Sequence, residues 1–336
     1  MRNKLSNFWN LFKKSKKGYY SFILLAFMLA FSMFAEIVAN DKPIIMSYKG
    51  HIYLPIFQTI REVDIGGDYI SEANFNDPYV QEIVKEDGWY IMPLLNYSYK
   101  TINYYDPSPA PSSPTYENLL GTDDQGRDIL ARLIYGFRIS ILFGIILTVT
   151  SSVIGIMVGA IQGYFGGKVD ILFQRFIEIW SGMPSLYILI IISSIIVPNF
   201  WWLLLIMLLF SWLSLVAVVR AEFLKARNLE YVKAAKALGV SQRKIIFKHI
   251  LPNAFVASMT FIPFLLNGSI STLTSLDFLG VGLPPGSPSL GEMLLQAKNN
   301  MQAYWISSSI FITLTLMLSV LILIGESVRD ILDPRK

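Results

Sequence analysis

Six apolar runs, each about as long as a membrane is thick, constrain this chain more than anything else in it. They cover Ser21–Val38, Ile139–Gly159, Ile171–Ile196, Trp201–Val219, Phe255–Leu279 and Tyr304–Ile324. About 20 apolar residues in helix cross the roughly 30 Å of bilayer hydrocarbon. Hydrocarbon cannot hydrogen-bond a peptide group, so lipid-facing runs of this kind must be helical. The rest of the composition agrees: 53% of residues are hydrophobic and 15% charged, against about 25% charged in a soluble domain. The expected fold class is therefore an all-α polytopic membrane protein with six transmembrane helices. The first run is followed by Asn40, Asp41 and Lys42 rather than by a small-residue cleavage site, which predicts an anchor and not a removed leader. The chain has no cysteine, so neither disulfides nor thiolate-bound metals hold it together.

Charge sets the expected orientation. Arg2, Lys4, Lys13, Lys14, Lys16 and Lys17 precede the first run with no acid among them. Flanking bases stay on the cytoplasmic side, which puts the N-terminus inside, and the same bases suit an anionic lipid surface. Residues 1–39 thus form a basic terminus and first helix. Residues 40–118, richer in acid, Tyr and Pro, form an extracytoplasmic insertion with some strand, the alternation being clearest at Ile44–Phe57. Residues 119–336 supply five more crossings, so both termini lie inside. Ahead of the second crossing, Asp123 or Asp128 caps a helix with an Ile129, Leu130, Leu133 and Ile134 face, placed at the outer surface. The third run is interrupted at Ser181-Gly182-Met183-Pro184, either a packed proline kink or a break facing a cavity. The net charge of +4 is too small to point to nucleic acid.

One long polar stretch, Asn228–Asn253 (NLEYVKAAKALGVSQRKIIFKHILPN), lies between strongly apolar runs. From Arg220 to Lys248 eight bases face Glu222 and Glu230, and the stretch follows an even number of crossings, so it lies inside. Glu230–Leu238 forms a short helix with Val232, Ala235 and Leu238 on one stripe. Gly239 closes it, Ser241 caps a second helix, and Leu251-Pro252 ends the element before the next run. Two short helices around a sharp turn make a docking element, with Lys233, Lys236, Arg243 and Lys244 turned to solvent or an acidic partner. The chain lacks its own phosphate loop: Gly167-Lys168 is preceded five positions back by Gln162 and followed by Val169, where G-x-x-x-x-G-K-[ST] requires Gly and Ser or Thr.

These residues resemble the EAA loop of ABC importer permeases: E-A-A, three residues, Gly, nine residues, then I-x-L-P. Lys233-Ala234-Ala235, Gly239 and Leu251-Pro252 fall on that spacing, with Lys233 in place of the acid and His249 in place of the isoleucine. The blocks LGTDDQGRDILARLIYGFRIS, SLDFLGVGLPPGSPSLGEML and RDILDPR resemble the second permease subunit of oligopeptide and dipeptide importers. The long insertion beginning NDKP resembles that of microcin C uptake permeases. The resemblance implies a type I ABC importer permease fold in the bacterial inner membrane, with Glu230, Lys233, Ala234, Ala235, Gly239, Ser241, Leu251 and Pro252 in the coupling loop. It implies a second permease as heterodimer partner, two ATPase subunits that bind the ATP, an extracytoplasmic peptide-binding protein, and a peptide or peptide conjugate as substrate. The subunit itself carries no cofactor and catalyses nothing.

Other residues keep two readings each. Asp277, near the outer end of the fifth run with Ser271 and Thr274, either lines the translocation path or caps the following loop. Pro184 either faces the path or only kinks a helix. Arg175 and Glu178, at i,i+3, form a structural pair. His51 and His249 are isolated, so no metal site is expected. The alternative function is a stand-alone secondary transporter, which would favour internal repeats and paired broken helices. A membrane-anchored enzyme would need a nucleophile–base constellation that residues 40–118 do not supply.

Overall fold

The computed structural model describes residues 2–332, with side chains from Phe8 onward. Met1 and residues 333–336, including the end of the Arg329–Arg335 block, lie outside the described residues. In chain order the helices are α1 (Arg2–Lys14), α2 (Lys16–Met33), α3 (Ala35–Val38), α4 (Pro78–Asp87), α5 (Ile129–Phe165), α6 (Gly167–Ser181), α7 (Ser185–Ile195), α8 (Phe200–Ser211), α9 (Leu213–Ala226), α10 (Glu230–Ala237), α11 (Gln242–Lys244), α12 (Leu251–Met259), α13 (Ile262–Phe278), α14 (Leu290–Asn299) and α15 (Tyr304–Leu332). Three strands, β1 (Ile45–Tyr48), β2 (His51–Tyr53) and β3 (Gly88–Ile91), pair in the order β2-β1-β3. Two compact units result, one from Met1–Ala26, Ile141–Pro284 and Leu316–Lys336, the other from Phe27–Ser140 and Pro285–Thr315.

Three helical stretches are long and apolar enough to cross a membrane unbroken: Ile129–Phe165, Phe200–Ala226 and Tyr304–Leu332. Two more candidates are bent pairs, Gly167–Ser181 with Ser185–Ile195 at 65°, and Gln242–Met259 with Ile262–Phe278 at 53°. The first apolar run is not among these five. Its helix begins on Lys16 and Lys17, stops at Met33, and resumes only as the single turn α3. The break expected at Ser181–Pro184 is present, with Pro184 as the residue preceding α7. The second break, at Thr260-Phe261, is a correction to the expected continuous helix from Phe255 to Leu279. Pro263 sits in the first turn of α13. It lacks an N–H, and its ring would press on the carbonyl four residues back, so one helix cannot continue through.

A second correction concerns α5. The surface helix and the crossing expected as separate elements are one helix of 37 residues. At 1.5 Å per residue it is roughly 55 Å long. Nothing in Ile129–Gly159 interrupts it, since the stretch has no proline. Its start is fixed as expected at one of the two acids: Asp128 Oδ1 accepts the Ala131 N–H at 2.7 Å.

In the first unit, glycines set how closely α5 approaches α9. A Cβ on Gly155 would lie 2.7 Å from the Trp212 carbonyl oxygen, on Gly159 2.8 Å from that of Val216, and on Gly163 2.6 Å from that of Arg220. The spacing is Gly-x-x-x-Gly-x-x-x-Gly, one face of a helix, and it lets two backbones touch where lipid supplies no hydrophobic drive. Near the start of α6, Asp170 accepts two bonds from Arg220 at 2.6 and 2.7 Å.

The second unit holds most of the polar architecture. The β1–β2 hairpin turns on Lys49-Gly50, both at positive φ (47° and 80°), as a two-residue turn between right-twisted strands demands. Met46 and Tyr48 on one face of β1 join Ile60, Ile65, Phe75, Val80 and Val84 in a small core. The strand thus falls where alternation predicts it, and the three-stranded sheet makes the chain mostly helical rather than all-α. Elsewhere in this unit Arg132 is fully buried. It donates to the carbonyls of Tyr99 (3.3 Å) and Ser287 (3.2 Å), pairs with Glu292, and lies 3.4 Å from Asp123, which also binds Arg127 at 2.7 Å. Outside its paired state a charge so buried would cost several kcal/mol.

Candidate coupling site

The Asn228–Asn253 stretch folds as α10, a tight turn, and a second helix that runs on into α12. Gly239 has φ +73°, and its N–H bonds the Lys236 carbonyl at 3.0 Å while the Val240 N–H bonds that of Ala235 at 3.0 Å. This is the paired bonding of a Schellman cap, which requires a left-handed residue after the helix and places an apolar contact across it. Val240 packs against the cluster that contains Ala235.

Two expectations are corrected. Ser241 occupies the position before α11, yet its side chain makes no capping bond; its carbonyl accepts the Ile245 N–H at 3.0 Å. Leu251-Pro252 does not end the element either. Ile245–Ile250 forms a widened π-turn in which the Leu251 N–H reaches Ile246 O, five residues back, and helix continues to Met259. Pro252 has no N–H to give to a regular ladder, and the wide turn directly ahead of it lets helix continue without one.

The element has two faces. Val232, Ala235, Ile245, Ile250 and Ala254 are buried with Ala160, Tyr164, Leu215, Val219 and Phe223. Lys236 is exposed, as expected, with its ammonium 5.2 Å from the centre of the Tyr164 ring. Outward stand Leu238, 83% exposed, and Phe247, 66% exposed, with Leu229, Tyr231 and Ala234. Arg243, Lys244 and Lys248 are exposed beside them. Glu230 and Lys233 pair at 3.3 Å, so the lysine in the acid position of the expected pattern meets the acid three residues earlier. The stripe expected through Ala235 and Leu238 is divided, since α10 closes before Leu238 and the chain turns there.

The residues assigned to a path are only partly gathered. Ser271, Thr272 and Ser275 line a cavity of about 290 Å³ with Ser185, Ser211 and Phe210. Thr274 is buried instead and donates to the Ile270 carbonyl at 2.9 Å. Pro184 does not line the cavity, though Ser185 and Leu186 after it do. Asp277, 5% exposed, accepts the Leu283 N–H at 2.7 Å, the geometry of a loop cap. Arg175 and Glu178 pair at 2.6 Å on an exposed surface. Among the described residues no group of His, Cys, Asp and Glu has the arrangement of a metal site. The Gly-x-x-x-Gly-x-x-x-Gly face and the Asp170–Arg220 pair were missed in the sequence, although the glycine spacing is legible there.

Residues 151–336 match the family described as binding-protein-dependent transport system inner membrane component. The chain is 52% identical to the peptidoglycan transport system permease protein YejE of Agrobacterium fabrum, across 98% of this chain and 92% of that one. It is also 52% identical to the inner membrane ABC transporter permease protein YejE of Escherichia coli, across 98% and 96%. With the oligopeptide transport system permease protein OppC of Lactococcus lactis it shares 35% identity over 74% of its length and 85% of the relative's. A non-catalytic chain with apolar helices, a closed-off inner helix face and an exposed Leu238–Phe247 face fits that company, and it belongs to the binding-protein-dependent inner-membrane permease family, as a permease subunit of an ABC importer.

Proposed function

We propose that this subunit forms half of the translocation path of an importer for peptides or peptide conjugates, and that Asn228–Asn253 receives the force of ATP hydrolysis from a separate ATPase subunit. Relatives named for oligopeptide and for peptidoglycan transport support that substrate class. The observation that carries the coupling role is the split of faces: a buried stripe ties α10 and the π-turn to α9 and α5, leaving Leu238 and Phe247 outward among bases. Apolar side chains exposed beside unpaired bases suit a groove with acidic edges.

In this reading the chain crosses the membrane six times, with α2 and α3 as the first crossing and each bent pair as one. The loop and both termini face the cytoplasm, residues 40–118 lie outside, and a second permease, two ATPases and an extracytoplasmic binding protein complete the importer. The ATP is theirs. Ser271, Thr272 and Ser275 are the path candidates; Asp277 holds the loop that follows α13. Family membership speaks against a stand-alone secondary transporter. Proteoliposomes test the whole reading: labelled peptide accumulates when all subunits and ATP are present, whereas accumulation by this chain alone would refute it.

A further inference from the structure

A cleft of about 420 Å³ in the second unit is lined by Tyr97, Tyr105, Tyr116 and Glu117, with Asn76 and Asn96 among its other walls. Its volume is that of a small-ligand site. One of the tyrosines brings a carboxylate with it. The Tyr97 hydroxyl donates to Glu117 at 3.4 Å. Burial first, and Glu117 second, hold the Tyr97 phenol well above its ordinary pKa, so it stays neutral. Among the described residues that line the cleft there is no Lys or Arg. The surrounding segment deepens the bias: from Glu72 to Leu119, seven acids (Glu72, Asp77, Glu82, Glu86, Asp87, Asp106, Glu117) face two bases, Lys85 and Lys100.

The Glu117 carboxylate with aromatic rings and side-chain amides, and no Lys or Arg in the lining, makes a site for positive charge. The carboxylate gives a charge-assisted hydrogen bond and the rings attract a cation through their quadrupoles. We propose that this cleft binds a positively charged peptide group, an N-terminal ammonium or a Lys or Arg side chain, against Glu117 and among Tyr97, Tyr105 and Tyr116. The assignment stands apart from the coupling loop and does not depend on it. A free peptide and a basic segment of the docked binding protein present the same cation.

Two arms on the purified full-length chain tell these sources apart. The first titrates a fluorescent trilysine amide and the same peptide acetylated at every amine. The second measures association of the purified extracytoplasmic binding protein with the full-length subunit. Glu117→Gln keeps size and removes charge at an exposed side chain, and Tyr116→Ala removes a fully exposed ring, so both variants should fold. A free-peptide site gives trilysine binding that acetylation abolishes and Glu117→Gln weakens roughly tenfold. A partner site gives an unresponsive first arm and a binding-protein affinity that Glu117→Gln and Tyr116→Ala both lower. Equal binding of the acetylated peptide, or no response to Glu117→Gln in either arm, overturns the proposal.

Discussion

At the scale of single residues, burial decides what a substitution reports. Ala235 lies in the sequence pattern of the proposed coupling loop, yet it is only 6% exposed and packs against α9. Ala235→Glu therefore buries an unpaired charge, expected to cost about 3 kcal/mol or more, and should lower the melting temperature of the purified subunit. Leu238→Glu, at 83% exposure, should leave that temperature unchanged while reducing stimulation of the ATPase. Equal stability of the two variants would refute the assignment of faces. Arg132 behaves as the reverse case. Arg132→Met leaves Asp123 and Glu292 to Arg127 alone, so a loss of about 1–3 kcal/mol is expected in denaturant unfolding. The sequence shows these acids and bases as a motif, but burial arises from long-range packing, which one stretch of sequence does not carry.

At the scale of elements, periodicity and punctuation made much of this chain legible. The Pro184 break, the Asp128 cap, the strand at Ile45 and the Gly239 turn all follow local rules that a sequence states directly. The structure departs from these rules where one local signal overrides another. Pro252 looked like a stop, but a π-turn ahead of it carries the helix on; Pro263, passed over in an apolar run, is where α12 and α13 part. Likewise the polar start of α5 read as a separate surface helix, though no residue between it and the crossing breaks the backbone. Glycine spacing on α5 sets the close approach to α9. Gly159→Leu would drive a side chain into the Val216 carbonyl, so overpacking of at least about 1–3 kcal/mol is expected. Lower yield of folded subunit in size-exclusion profiles checks it. At Gly239 nothing lies within 4 Å of an added Cβ. Gly239→Ala should cost only backbone strain, about 1 kcal/mol, and retain coupling. Gly239→Pro forbids the positive φ and removes the bond to Lys236, so it should abolish stimulated ATPase activity.

At the scale of the whole molecule, orientation is open to a clean experiment because the chain has no cysteine. Single cysteines at Ser15, Phe57, Val240 and Ser287 should divide into two classes of reactivity toward an impermeant thiol reagent. Phe57 and Ser287 react in intact cells; Ser15 and Val240 react only after the membrane is opened. Labelling of Phe57 and Val240 from the same side would remove the six-crossing topology. The central claim is that energy reaches this subunit through the outward face of Asn228–Asn253. The most direct measurement places a single cysteine at Leu238 and asks whether a short bifunctional reagent joins it to the ATPase subunit in the assembled importer. Cross-linking at Leu238 and Phe247, absent at Glu222 and Tyr187 and accompanied by loss of ATP-driven uptake, is the predicted result. An ATPase subunit that cross-links elsewhere, with Leu238 unreactive in the active complex, would contradict it.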